Sequence, residues 1–175
     1  MTLLILANIL YTNIQGYDFI VNLKVGQGDS ALVSLGSYKL LIDGGPGDYV
    51  IHEIGKYMGG DRNIDLVILT HLHADHLLGL LVVLDYYHID KFVMNNVCLN
   101  SPEYKLLIKK LSDQKVPIVY TDYVRINVLD RVLKNIDYSK VSDRCQHFSN
   151  LNNSSVITLI EVNAQKYLFM GDAEL

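Results

Sequence analysis

The stretch His71-Leu72-His73-Ala74-Asp75-His76 constrains the fold more than any other feature of the chain. It gathers three imidazoles and a carboxylate between two apolar segments. Ile64 to Thr70, before it, is of strand type, and Leu77 to Leu84, after it, can be helical. Nitrogen and oxygen ligands at the end of a buried strand hold a divalent metal rigidly. In an extended segment His71 and His73 point to one side and can grip one metal through their ring nitrogens. Asp75 and His76 follow where the backbone turns, so their side chains can reach a second metal. Two metals about 3.5–4 Å apart can share a water, lower its pKa and clamp the oxygens of a phosphoryl or acyl group. Imidazole with carboxylate suits zinc, and also manganese or iron.

The rest of the chain supplies a scaffold for such a site. Its 175 residues suffice for one domain, or part of a larger one. Half of the residues are hydrophobic and 19% are charged, which predicts a real core. A net charge of −4 lends no support to a basic nucleic-acid surface, although bound metal would bring positive charge of its own. Cys98 and Cys145 follow no zinc-finger or CxxC spacing and read as two ordinary thiols. Thr2 to Leu10 is apolar but too short to span a bilayer. Residues 1–16 are therefore set apart as a signal core, a membrane stub or a first strand.

Strands are predicted over Tyr17–Lys24, Ala31–Leu35 and Tyr38–Ile42, with a tight turn at Gly26–Ser30 that faces the metal site. That turn lacks the Lys-Ser/Thr of a phosphate cradle. Asp43-Gly44-Gly45-Pro46-Gly47 breaks the pattern, and a helix over Val50–Met58 closes at Gly59-Gly60. A helix begins near His76, a short strand covers Lys91–Met94, a helix Pro102–Ser112 and a strand Val116–Tyr120. Alternation from Val124 to Val132 predicts strands or a hairpin, and Ser154–Val162 pairs with Lys166–Met170 around Asn163-Ala164-Gln165. Hairpins first, strand–helix units next and strands again predict an α+β chain: two mixed sheets packed together with outer helices. A doubly wound sheet is excluded, because the first strands lie too close together for helical crossovers.

HxHxDH after an apolar strand and a threonine resembles the signature of the metallo-β-lactamase fold superfamily. Val25-Gly26-Gln27-Gly28-Asp29-Ser30, Leu41-Ile42-Asp43-Gly44-Gly45, Asn152-Asn153-Ser154-Ser155-Val156 and Phe169-Met170-Gly171-Asp172-Ala173-Glu174 narrow the resemblance. Together they look like the hydrolase domain of DNA-internalisation competence proteins of the ComEC type, from about Phe19 to Glu174. The resemblance implies an αβ/βα sandwich over residues 17–175 and two divalent ions, zinc or manganese, with no organic cofactor. His71 and His73 match ligands of the first metal, Asp75 and His76 those of the second. Asp172 matches the carboxylate that bridges them. Asp43, with Asp75, completes the catalytic carboxylates; it orients a ligand histidine.

The chain departs from the wider superfamily in three places. Asn152-Asn153-Ser154-Ser155 stands where most superfamily hydrolases bring another histidine, as in the competence type. The first site is then completed by water or Asn153, with Asn153 and Ser155 as candidate metal or substrate contacts and His147 as a substitute ligand. After Glu174 the family continues to a final histidine, so the domain reads as C-terminally incomplete with an exposed sheet edge. Lys24 stands where the family commonly has Asp.

His52 and His88 read as surface or satisfied core residues, and the scattered tyrosines as core or rim. The implied activity is hydrolysis of DNA phosphodiesters during uptake, beside a membrane channel domain and at a membrane-associated or extracytoplasmic place. Two alternatives stay open: another hydrolase of this fold, cleaving an ester, thioester, lactam or RNA, and a fragment that binds metal or DNA without turnover.

Overall fold

The computed structural model describes residues 18–130 and 132–174. The apolar N-terminal segment lies outside the described residues. Three layers stack: helices, a six-stranded sheet and a four-stranded sheet.

The first sheet is ordered β1 (Phe19–Asn22), β2 (Ala31–Leu35), β3 (Tyr38–Ile42), β5 (Leu66–Ile68), β7 (Phe92–Met94) and β8 (Ile118–Tyr120). The first three strands are antiparallel hairpins; from β3 onward the pairing is parallel. Parallel pairing needs crossovers, supplied by α1 (Tyr49–Met58), α2 (Ala74–Tyr86) and α3 (Pro102–Asp113). A two-stranded parallel pair, β4 (Asn63–Ile64) and β6 (His88–Ile89), lies beside it. The second sheet is ordered β10 (Val132–Tyr138), β9 (Tyr123–Leu129), β11 (Ile157–Val162) and β12 (Gln165–Phe169), with β9 and β11 parallel. The fold is therefore α+β with two mixed sheets, as its sequence pattern predicts.

Strand alternation builds two cores. Leu32, Leu41, Val67, Phe92 and Met94 face the helices and join Ile54, Leu77, Leu80 and Leu107. Their neighbours Val33, Leu40, Ile42, Leu66, Ile68 and Val93 face the second sheet and meet Val124, Ile126 and Ile160. Burial on both faces explains why the central strands read as continuous apolar runs. Among the described residues the helices contribute to the first core only. At the edge of the second sheet, β12 leaves Tyr167 and Leu168 exposed.

Several boundaries move. Helix α2 starts at Ala74, before His76, with His73 as its N-cap. Ser154 belongs to a 3-10 turn, Leu151–Ser154, and β11 begins at Ile157. Val116 and Pro117 precede β8 because proline lacks the N–H a ladder requires.

The cysteines are the clear correction. Cys98 and Cys145 form a disulfide across 47 residues of sequence rather than two thiols. Backbone pairing brings them together: Cys98 N donates to Gln146 O at 2.7 Å, and Gln146 N to Asn96 O at 2.8 Å. Sequence spacing carries no sign of this, since neither loop has a regular pattern. The bridge ties the loop after β7 to the irregular segment 139–150. Reduction is expected to lower unfolding free energy by about 2–4 kcal/mol, the usual range for a native crosslink. Urea denaturation with and without a thiol reductant measures it; coincident curves would remove the structural role.

Candidate metal centre

The site lies at the C-terminal ends of β3 and β5, where buried strands release the chain into polar loops. Beyond β5 the chain keeps two cross-chain backbone bonds, Leu69 N to Val93 O at 2.9 Å and Val156 N to Thr70 O at 2.8 Å, and then turns through His73 into α2. The turn brings His71 and His76 against each other, with ring centroids 4.2 Å apart. His71 also meets His73 edge-on, Nε2 to Nδ1 at 3.0 Å. Asp75 sits in the first turn of α2, where the helix dipole favours a carboxylate, with Oδ2 4.0 Å from His76 Nε2.

Asp172 arrives from the second sheet, on the loop after β12. Its two oxygens face different histidines: Oδ1 is 3.5 Å from His76 Nε2 and Oδ2 is 4.0 Å from His71 Nε2. The donor atoms of His71, His76 and Asp172 all lie within 4.8 Å of one another. Bond lengths of about 2.0–2.2 Å to zinc put two ligands of one ion roughly 3–4 Å apart, so the spacings fit a metal. The donor set, neutral imidazole with carboxylate, fits as well.

Asp43 lies beneath these rings, 1% exposed, at a left-handed backbone position with φ 57°. Oδ2 accepts from His76 Nδ1 at 2.9 Å and from the Thr70 hydroxyl at 2.7 Å; Oδ1 accepts from Thr70 N at 2.8 Å. Burial pushes the Asp43 carboxyl up, against these donors, which pull it down. Burial also presses His76 down, but the hydrogen bond and charge of Asp43, joined by Asp172 and Asp75, raise it above its ordinary value.

Glycines let the backbones meet. A Cβ on Gly28 would fall 2.1 Å from Asp75 O, so the Gly26–Ser30 turn does press on the site. Gly44 and Gly79 cross in direct backbone contact, with Gly44 N donating to His76 O at 2.8 Å and Gly79 N to Gly45 O at 2.9 Å. This crossing sets the Asp43 loop against α2. A glycine inside an apolar helix was the available signal for it.

Asn153 is exposed, and its Oδ1 accepts from Glu174 N at 3.3 Å. Ser155 is buried, its hydroxyl 3.5 Å from Nδ1 of His71, on the ring edge away from Asp172. Asn95, not singled out by sequence, donates to Ser154 O at 3.0 Å and holds this turn. His147 is exposed and outside the group that can hold a metal; His52 and His88 are exposed as well.

Burial, reinforced by the neighbouring His76 and His73, depresses His71 from 6.5 to about 4, so it is neutral and ready to ligate. A depressed imidazole stabilises the fold above its unfolded value and loses that contribution as pH falls through its folded value. His76, raised, contributes fully below 6.5, so it does not offset the loss in that window. His71 by itself is therefore expected to remove up to roughly 3 kcal/mol from the metal-free protein as pH falls from 6.5 to about 4, opposed in part by Asp43, whose raised carboxyl takes up its proton in the fold first. Denaturant midpoints across this range measure it, and His71→Asn should flatten the curve. An equally steep curve in that variant would contradict it.

A family model described as Metallo-beta-lactamase superfamily matches residues 23–175. The chain is 42% identical over 55 residues to ribonuclease Z of Clostridioides difficile (strain 630), covering 31% of this chain and 17% of that one. It is 41% identical over 51 residues to ribonuclease Z of Clostridium tetani (strain Massachusetts / E88), covering 29% and 16%. ComE operon protein 3 of Bacillus subtilis (strain 168) is 23% identical over 115 residues, covering 66% of this chain and 14% of that one. The chain thus spans under a fifth of the length of these curated relatives. A solved structure, the peroxy diiron species of chemotaxis sensor ODP, aligns with a TM-score of 0.39 at 18% identity, over 58% of this chain and 40% of that one. The match spans nearly the whole described chain and includes the donor cluster, and the chain belongs to the metallo-β-lactamase superfamily.

Proposed function

We propose that this chain is the hydrolase domain of a ComEC-type competence protein and cleaves DNA phosphodiesters during uptake. The observation that carries the reading is the Asn152–Ser155 run, which stands in place of a histidine and sets a serine hydroxyl behind His71. Similarity to ComE operon protein 3 over 66% of the chain supports it. The Cys98–Cys145 bridge adds support, because disulfides persist in oxidising compartments and an uptake enzyme outside the cytoplasm works in one.

In this reading His71, His76 and Asp172 would hold divalent metal, with His73 and Asp75 beside them as the further ligands the family motif implies. Such ions supply Lewis acidity and a water acidic enough to attack at neutral pH. The residues themselves orient and neutralise. Asp43 accepts from His76 Nδ1 and turns Nε2 toward Asp172. Partly exposed Asp172 leaves the donor cluster open on one side, where a phosphodiester can approach. The channel domain is a partner proposed with this reading.

A second reading is RNA cleavage, favoured by the higher local identity to the two ribonuclease Z proteins. The test is manganese- or zinc-dependent cleavage of single-stranded DNA, double-stranded DNA and single-stranded RNA, beside His73→Ala. DNA cleavage lost in the variant supports the first reading, and cleavage of RNA alone the second. Cleavage unchanged in the variant overturns the site assignment.

A further inference from the structure

Thr70 stands between the buried carboxylate and the first histidine. It is 1% exposed and makes contacts on every side. Its N–H reaches Asp43 Oδ1, and its carbonyl accepts from Val156 N at 2.8 Å. A Cβ on Gly171 would fall 2.8 Å from Thr70 Cβ and Oγ1, so the loop carrying Asp172 closes directly over this side chain. Its hydroxyl lies 2.7 Å from Asp43 Oδ2 and 3.1 Å from His71 Nδ1.

A hydroxyl has one proton and two lone pairs. Given to the Asp43 carboxylate, that proton leaves a lone pair facing His71 Nδ1, which must then carry a hydrogen. The lone pair of His71 consequently sits on Nε2, the atom 3.0 Å from His73 Nδ1 and 4.0 Å from Asp172 Oδ2. Donated the other way, the same proton would force hydrogen onto Nε2 and block it as a ligand.

We propose that Thr70 is a positioning residue that relays the Asp43 carboxylate to His71 and fixes the ring with its lone pair on Nε2. One buried acid then sets both histidines, His76 by direct contact and His71 through the threonine. Ser155 stands 3.5 Å from the same Nδ1, a longer contact than the 3.1 Å of the Thr70 hydroxyl, and it makes no contact with Asp43 among the described hydrogen bonds, so it does not link the carboxylate to the ring. The proposal rests on His71 as a metal ligand, but not on the substrate.

Thr70→Val keeps the shape and removes the relay; Thr70→Ser keeps it. Zinc affinity, measured by competition with a chromophoric chelator, is expected to fall about 10–100-fold in the valine variant and to recover in the serine variant. Two-bond proton–nitrogen NMR of the metal-free protein at pH 7.5 should show the His71 hydrogen on Nδ1. The valine variant should show a tautomer mixture. Hydrogen on Nε2 in the unaltered protein overturns the proposal, whether or not either variant folds. So does a valine variant whose affinity stays within about twofold of the parent. Failure of the unaltered protein to bind zinc would instead sink the metal-site reading.

Discussion

On the proposed function, replacing Asp172 with alanine is expected to abolish metal-dependent hydrolysis while leaving the protein folded. Asp172 is the carboxylate that faces His71 and His76 together, one oxygen to each. No imidazole can do this, because a ring presents a single lone pair toward the centre. The loss should be at least about a hundredfold in kcat/KM, the scale on which one misplaced charged group acts in an active site. Stability should change by only about 0.5 kcal/mol, since the side chain is 39% exposed and lies on a loop. Hydrolysis of an activated phosphodiester, metal per chain by elemental analysis and thermal melting separate these effects. Full activity with full metal content would remove Asp172 from the site. Asp43→Ala should behave differently: it strips the acceptor from three buried donors and destabilises the fold as well.

Gly79→Ala is the second large effect, and it acts on the scaffold. The added methyl would sit 1.8 Å from Gly44 O and 2.5 Å from Gly44 C, both backbone atoms with nowhere to rotate. Helix α2 must then move off the Asp43 loop, stretching the hydrogen bonds Gly44 N to His76 O and Gly79 N to Gly45 O. Alanine gains about 1 kcal/mol of helix propensity, but overpacking costs up to about 3 kcal/mol and sometimes more. Added to the stretched hydrogen bonds, it should leave a net loss of about 2 kcal/mol, or roughly 4–8 °C in Tm. Metal affinity should fall with it, since the same movement parts Asp43 from His76. Gly55→Ala is the matched control. It lies in helix α1 with nothing within 4 Å of the added carbon, so it should raise stability by up to about 1 kcal/mol. Equal effects at the two positions would refute the role of the crossing.

Much of the scaffold is legible in local pattern. β2, β3, the hairpin of β11 and β12 and all three helices follow from alternation, helical spacing and glycine breaks, because those periodicities are local consequences of burying one face. The sequence cluster likewise names His71 and His76, two of the three residues whose donor atoms gather, with His73 and Asp75 beside them, since neighbours along the chain already lie within reach. Asp172 becomes a candidate only through the resemblance of Gly171-Asp172 to a family motif, as no local rule distinguishes it from a turn carboxylate.

Local pattern and the HxHxDH cluster suffice for the class: an α+β metallo-β-lactamase scaffold with imidazole and carboxylate donors gathered behind one strand. The remaining features come from contacts between distant segments. Pairing of Cys98 with Cys145, the crossing of Gly44 on Gly79, the seat of Thr70 between Asp43 and His71, and the split of Asp172 oxygens between two rings all join distant segments. Each depends on close approach of backbones whose separation along the chain holds no periodic signal. Only packing the two sheets and α2 together fixes those approaches, and with them which nitrogen of each histidine faces the centre.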